Sequence, residues 1–176
     1  MSTTALVSII GPDRVGLISA ISGLLFDLGA DLGDTSFAVL GGGAEFTAIC
    51  DFPDGMDIDR LREELASLPE TEKCKINVSH FDLATTHPAW ETITHMITVS
   101  GGDSPGLMAR LCEVFQQFDA NIVRLNSERV PGGDHTTYVI SASVAIPEAT
   151  EKSCMAIVAN TAGELGLTCK WSKTVP

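Results

Sequence analysis

Positive charge is scarce in this 176-residue sequence: 11 Lys and Arg stand against 23 Asp and Glu, a formal net charge of −12. A nucleic-acid surface needs clustered Lys and Arg to displace phosphate counterions, and neither a basic run nor a helix-turn-helix pattern occurs here. No direct nucleic-acid contact is therefore expected. An anionic membrane surface would repel the same charge, and no apolar stretch approaches the ~20 residues of a membrane span. The start, Met1-Ser2-Thr3-Thr4, lacks the basic and apolar segments of a secretory signal, so a cytoplasmic location is expected. Cys50, Cys74, Cys112, Cys154 and Cys169 are odd in number and never spaced C-x-x-C, which argues against a disulfide framework or zinc site. They read as small, reduced core residues, with no metal or cofactor implied. Local spacing offers no Ser-His-Asp or Cys-His set.

What is present is a repeat. Gly11-Pro12-Asp13-Arg14-Val15-Gly16-Leu17 lies between an apolar strand-like run and an amphipathic helix-like run. Ninety residues on stands Gly101-Gly102-Asp103-Ser104-Pro105-Gly106-Leu107, with Asp, Gly and Leu in matching positions. Ala5–Ile9 answers His95–Val99, and Gly29-Ala30-Asp31-Leu32 answers Asp119-Ala120-Asn121-Ile122. The repeat predicts two units of roughly 80 residues, small enough to pack on each other or on a second chain.

The first unit reads β-α-β-β-α-β. Ala5–Ile10 has the length of a strand buried on both faces or central in a sheet. From Val15 a helix places Leu17, Ile18, Ile21, Leu24, Leu25 and Leu28 on one face, and Gly29 stops it. Asp31–Leu40 resumes a strand, Gly41-Gly42-Gly43 permits a reversal, and Phe46, Ala48, Cys50 and Phe52 alternate with polar neighbours in an antiparallel partner. Asp57–Leu68 is helical and ends at Pro69; Cys74, Ile76 and Val78 then alternate in a closing strand. Residues 1–83 form this unit, residues 84–90 a linker broken by Pro88, and residues 91–176 the second unit.

There the expectation is a strand near Glu91–Ser100, a helix from Pro105 capped by Ser104, and a strand Asn121–Val130. A turn at Pro131–Asp134 follows, then a strand with Tyr138, Ile140, Ala142, Val144 and Ile146 on one face. A helix Glu148–Leu165 and a strand carrying Leu167, Cys169 and Trp171 complete it. The fold class is α+β: two split-βαβ, ferredoxin-like units, each an antiparallel sheet with helices on one face.

The pattern of apolar strand, Gly-x-Asp-x-x-Gly-Leu, helix, then Ala-Asp-Leu or Ala-Asn-Ile resembles the ACT domain, a small ligand-binding regulatory module. Across nearly the whole chain, Ile10–Leu17 with Asp34–Gly41 and Glu45-Phe46-Thr47 resembles the tandem-ACT family of glycine cleavage system transcriptional repressors. That resemblance implies a non-catalytic regulator that binds glycine or another small amino acid and acts through a protein partner, such as a DNA-binding regulator, as a homodimer. The alternatives are a regulatory subunit of an amino-acid or purine enzyme, for which no segment is left over to carry catalysis, and an interaction module that binds no ligand. The family usually has proline at the position of Val15 and asparagine at that of Asp31; Pro105 and Asn121 keep both in the second unit.

The candidate ligand residues are Gly11, Pro12, Asp13, Arg14, Val15, Gly16, Leu17 and Asp31, and Asp103, Ser104, Pro105, Gly106, Leu107, Asn121 and Ile122. A glycine-bounded helix start aims unpaired N–H groups at one spot, suited to a small carboxylate. The bland reading is a tight strand-to-helix connection. Asn both donates and accepts whereas ionised Asp only accepts, so the second unit is the better carboxylate site, while Asp31 suits a ligand ammonium. The Gly-x-x-x-x-Gly spacing is not a nucleotide loop, because Leu17-Ile18 and Leu107-Met108 replace its Lys and Ser or Thr. At about −1.5 kcal/mol per heavy atom, glycine reaches about −7.5 kcal/mol, micromolar at best. Arg14 beside Asp13 reads as a solvated surface pair, His80 and His95 as core or sheet residues, and Trp90 as packing between the units. The interface between units, or with a neighbouring chain, is the expected bistable element.

Overall fold

The computed structural model describes residues 2–88, 92–102, 105–132 and 135–174, and the chain divides into two units, residues 1–85 and 86–176. The first contains β1 (Thr3–Pro12), α1 (Leu17–Asp27), β2 (Asp31–Leu40), β3 (Gly43–Phe52), α2 (Ile58–Ser67) and β4 (Lys75–His80), with a 3-10 turn at Pro69–Thr71. The second contains β5 (His95–Gly101), α3 (Leu107–Gln117), β6 (Asn121–Gly132), β7 (His135–Ala145), α4 (Glu151–Glu164) and β8 (Thr168–Lys173). Each unit is a four-stranded antiparallel sheet, ordered β2-β3-β1-β4 and β6-β7-β5-β8, in the α+β ferredoxin-like βαββαβ arrangement.

Alternation builds the first core. Ala5, Val7 and Ile9 of β1 and Phe46, Ala48, Cys50 and Phe52 of β3 are buried beneath Leu17, Ile21 and Leu25 of α1 and Leu61 and Leu65 of α2. β1 is central, but only one of its faces is buried: Leu6 is half-buried and Ile10 exposed. Ile18, expected inward, is 42% exposed because it lies off the stripe made by Leu17, Ile21 and Leu25. Gly29 ends α1 at φ 81°, with Ala30 N–H reaching back to Leu25 O at 2.9 Å. The second unit ends α3 in the same way with Asp119 at φ 53°, Ala120 N–H donating to Phe115 O.

Several boundaries move. β5 begins at His95 rather than near Glu91, and Glu91 and Trp90 lie outside the described residues. β6 continues through Pro131 and Gly132, which pair with Thr136 and His135, so the expected turn shrinks to Gly133-Asp134, also outside the described residues. α4 starts at Glu151, not Glu148, because Thr150 N–H closes a turn onto Pro147 O and Thr150 Oγ1 donates to Phe118 O. Only Cys50 and Cys154 are true core thiols, pushed by burial up to about 12 and about 11; Cys74, Cys112 and Cys169 are half-buried. His80 ends β4 exposed, and Trp171 is 48% exposed on edge strand β8.

His95 does enter a core, at 1% exposed. Its Nδ1 lies 2.9 Å from Thr94 Oγ1; its Nε2 has no hydrogen bond among the described residues and sits 3.8 Å from Glu151 Oε1. Lys173 Nζ holds both Glu151 oxygens, at 2.7 and 2.8 Å, and the Trp171 ring lies 5.5 Å from the imidazole. Burial lowers the His95 pKa, opposed by Glu151 and reinforced by Lys173. The unfolded chain then takes up the proton first, so this stability is full above about pH 6.5 and is lost as the pH falls through the folded value. The Glu151 carboxyl, lowered first by its hydrogen bond from Lys173, acts in the same direction at lower pH. Acidification from about pH 7.5 to 5 is expected to lower the melting temperature of the second unit, and His95→Gln to flatten the slope. A wild-type melting temperature constant across that window, followed by tryptophan fluorescence, would refute it.

Candidate functional site

The first loop is shorter than its glycines suggest. Gly11 and Pro12 belong to β1, paired with Ala44 and Gly43, which leaves Asp13–Gly16 as the connection. Gly11 serves packing: a Cβ there would meet Cys74 Sγ at 2.3 Å and Cys74 Cα at 2.8 Å. Gly101 likewise ends β5 with Leu167 Cδ2 2.3 Å from where its Cβ would be.

Gly16 and Gly106 do conformational work. They precede α1 and α3 at φ 92° and 79°, a left-handed turn that L side chains rarely adopt. The helices therefore start at Leu17 and Leu107, two residues later than Val15 and Pro105, and Pro105 is not in the first helical position. Asp103 and Ser104 lie outside the described residues, Ser104's expected capping role with them. Leu17 N–H donates to Arg14 O at 3.2 Å, and the first helical bond runs from Ala20 N–H to Gly16 O at 2.9 Å. Between them the Ile18 and Ser19 N–H groups have no acceptor among the described residues, and no side chain caps the helix.

Side chains of the loop have other tasks. Leu17 and Leu107 are buried, so only their backbone is free to face a ligand. Val15, Pro105 and Asp13 are exposed. Asp13 N–H reaches Gly42 O at 3.4 Å. Arg14 is not paired with Asp13: its guanidinium donates to Pro69 O at 3.0 Å and Glu72 O at 2.9 Å, and lies 4.0 Å from the Glu72 carboxylate. It ties the loop to the 3-10 turn, whose outward carbonyls no local pattern near Arg14 reveals.

Strand register separates the remaining candidates from the loops. Asp31 is opposite Asp51, which is opposite Thr4, whereas Gly11 is opposite Ala44. Thr4 to Gly11 spans about 23 Å along β1 at 3.3 Å per residue. Asn121 and Ile122 face Ala145 and Val144, level with His95, while Gly101 faces Tyr138 at the other end of β5. Strand and helix run in opposite directions, so one unit places its loop and its second-strand start at opposite ends.

The two strand starts also differ. Asp31 opposes a second carboxylate, Asp51, whose Oδ1 accepts from Thr4 Oγ1 at 2.6 Å. Asn121 and Ile122 line an open depression of about 450 Å³ with Cys112, Gln116 and Asp119. Asp119 is not among the residues that the repeat singles out, although its place opposite Gly29 in the repeat marks it. Among the described residues no three His, Cys, Asp or Glu side chains gather as metal ligands.

Two split-βαβ units, each turning from strand to helix through a left-handed glycine, define a small regulatory-module fold. Residues 3–79 match the family model of the ACT domain; the first unit is an ACT domain, and the chain has the architecture of a tandem ACT-domain protein. It is similar to a UPF0237 protein of Streptococcus mutans, 28% identical over 74 residues, covering 42% of this chain and 84% of the relative. Among solved structures, an unknown protein from Galdieria sulphuraria is 22% identical, with TM-score 0.76, over 99% of this chain and 100% of its own. Another, provisionally assigned as a glycine cleavage system transcriptional repressor, is 14% identical, with TM-score 0.67, over 100% of this chain and 99% of its own. No helix among the described residues is long and apolar enough to cross a membrane.

Proposed function

We propose that this chain is a non-catalytic regulatory protein that binds a small amino acid, glycine or serine, and passes its state to a protein partner. The observation that supports this most is the open start of the first helix of each unit: Ile18 and Ser19 amides at α1, and Met108 and Ala109 amides at α3, without acceptors among the described residues. Such a helix start favours an anion by about 0.3–1 kcal/mol, up to about 2 when partly buried.

The second unit is the preferred receiver. Asp31 and Asp51 together repel a carboxylate at the first strand start, whereas Asn121 donates and accepts beside Asp119, a carboxylate suited to a ligand ammonium. A ligand touching both Asn121 and the Gly106 loop needs them from different copies of the chain, since one unit holds them at opposite ends. In this reading the protein works as a homodimer in the cytoplasm. The likeness in fold to a structure with a glycine-cleavage assignment suggests control of transcription, and the net charge of −12 routes that control through a DNA-binding partner.

Calorimetry with glycine and serine to millimolar concentration tests it. Saturable heat is expected, with affinity weaker by about tenfold or more in Asn121→Ala and in Gly106→Asn, which tolerates the left-handed turn but puts a side chain into the open space where the ligand would sit. Absence of heat with any free amino acid, from protein with an intact melting transition, would overturn the reading.

A further inference from the structure

Two departures of the second unit from the first stand at the ends of one route through its core. Buried Ala5 of β1 is answered by buried His95 of β5, and Gly29 after α1 by Asp119 after α3. Gly29 adopts φ 81° freely, whereas Asp119 holds φ 53°, a left-handed turn that costs a residue with a side chain more than glycine. The closing bonds of α3 keep it there: Asp119 N–H donates to Gln116 O at 3.2 Å and Ala120 N–H to Phe115 O at 2.9 Å. Asp119 lines the depression with Asn121.

Between these ends lies the start of α4. Thr150, just before it, turns its hydroxyl away from its own helix and donates to Phe118 O at 3.0 Å, closer than Pro147 O at 3.3 Å. In the first unit Asp57 caps α2 instead, accepting from Arg60 N–H at 2.8 Å. Glu151 follows Thr150, and its Oε1 lies 3.8 Å from His95 Nε2.

Neutral His95 leaves Nε2 without a hydrogen bond among the described residues, but the protonated ring has two N–H groups to place. Thr94 Oγ1 accepts from Nδ1 while its own proton rests on Val144 O at 3.2 Å. Nε2–H has Glu151, and a charge-assisted bond of roughly 2.7–2.9 Å requires that gap to close by about 1 Å. From β8 the ring meets Trp171 and Lys173, which holds both Glu151 oxygens; β7 places uncharged Val144 opposite it. On α4, Lys152 acts on Glu151, and buried Cys154 stays neutral because burial pushes its thiol up to about 11. Burial, the largest influence on His95, holds it below the ordinary histidine value, so the ring takes its proton on the acid side of about pH 6.5.

We infer that the second unit carries a proton switch: a proton on His95 draws Glu151 inward, the first turn of α4 follows, and Thr150 releases Phe118 O, freeing Asp119 from its left-handed turn at the rim of the depression. The switch does not depend on what fills the depression. Its consequence rests on the proposed function: the amino acid is held less tightly as the pH falls, and by linkage its binding expels the His95 proton.

The test follows the Ala120 and Asn121 amides and the His95 ring by NMR between pH 7.5 and 5, on the full chain without amino acid. In wild type the amides should move with the midpoint of the ring. That movement should vanish in His95→Gln and in Thr150→Val, where the ring still titrates; Thr150 is only half-buried and Val keeps its shape. Glycine affinity by calorimetry should fall about fivefold or more across the same window in wild type and stay level in both variants. Amides that stay in place, that follow another midpoint, or that move equally in either variant would overturn the switch. Level glycine affinity with moving amides would overturn its consequence for binding. No glycine heat at any pH would overturn the ligand reading, with the switch still decided by the amides.

Discussion

Phe115→Ala is expected to destabilise the second unit by about 3–5 kcal/mol. Phe115 is buried on α3 with Leu107 and Leu111 and belongs to the core that includes Val99, Ile140 and Val144. Removing its ring deletes a large apolar surface and leaves a cavity that a core built from two helices and a sheet only partly refills. Trp171 lies on β8 of the second unit, so its fluorescence, followed in a Trp90→Phe background, reports this unit. The fluorescence midpoint should fall by roughly 12 °C or more, since about 1 kcal/mol moves a domain of this size by 4–8 °C. Phe46→Ala, the matching truncation in the separate first core, should lower the ellipticity transition of its own unit and leave the tryptophan midpoint in place. Equal movement of the tryptophan midpoint in both variants would mean that the two cores melt as one.

Gly11→Ala carries the second large effect, about 1–3 kcal/mol from a single added methyl group. The new Cβ would sit 2.3 Å from Cys74 Sγ, which can rotate, but also 2.8 Å from Cys74 Cα, which moves only if the backbone entering β4 moves. Cys74→Ala should therefore rescue only part of the loss. Gly101→Ala should cost less, because its nearest contact is the end of the flexible Leu167 side chain and the Leu167 Cα is 3.3 Å away. Chemical denaturation of Gly11→Ala, Gly11→Ala with Cys74→Ala, and Gly101→Ala decides this, and a Gly11→Ala protein as stable as wild type would refute the packing role. The comparison also governs the ligand experiments: binding lost in Gly11→Ala reports a displaced strand, whereas Gly106→Asn alters the loop where nothing lies within 4 Å of an added Cβ.

The two loops illustrate what was legible. That Gly11, Gly16, Gly101 and Gly106 are required is written in the repeat, but their division of labour is not. Packing against Cys74 and Leu167 involves residues more than 60 positions away, while the left-handed turns at Gly16 and Gly106 are local. The helices start two residues later than the apolar spacing implies for the same local reason, since a positive φ just before Leu17 and Leu107 cannot belong to the helix that this spacing extends backward. Adjacency in sequence suggests Asp13 as the partner of Arg14, but its partners are carbonyls at Pro69 and Glu72, more than 50 positions away. His95 was legible as a core residue from its parity with Ile97 and Val99, but not its unpaired Nε2, which depends on α4 and β8.

By itself the sequence determined the doubled β-α-β-β-α-β order and the faces that are buried, because apolar residues recurring at every second or every third and fourth position leave one side of each element unable to face water. It also determined which strand starts carry Asp31 and Asn121. Only the tertiary structure decided that each of these stands at the opposite end of its unit from the loop it was grouped with, and that Asp31 confronts Asp51 while Asn121 opens onto a depression beside Asp119. Such facts depend on register between strands that are distant in the chain, and register is set by the packing of the whole sheet rather than by any one segment.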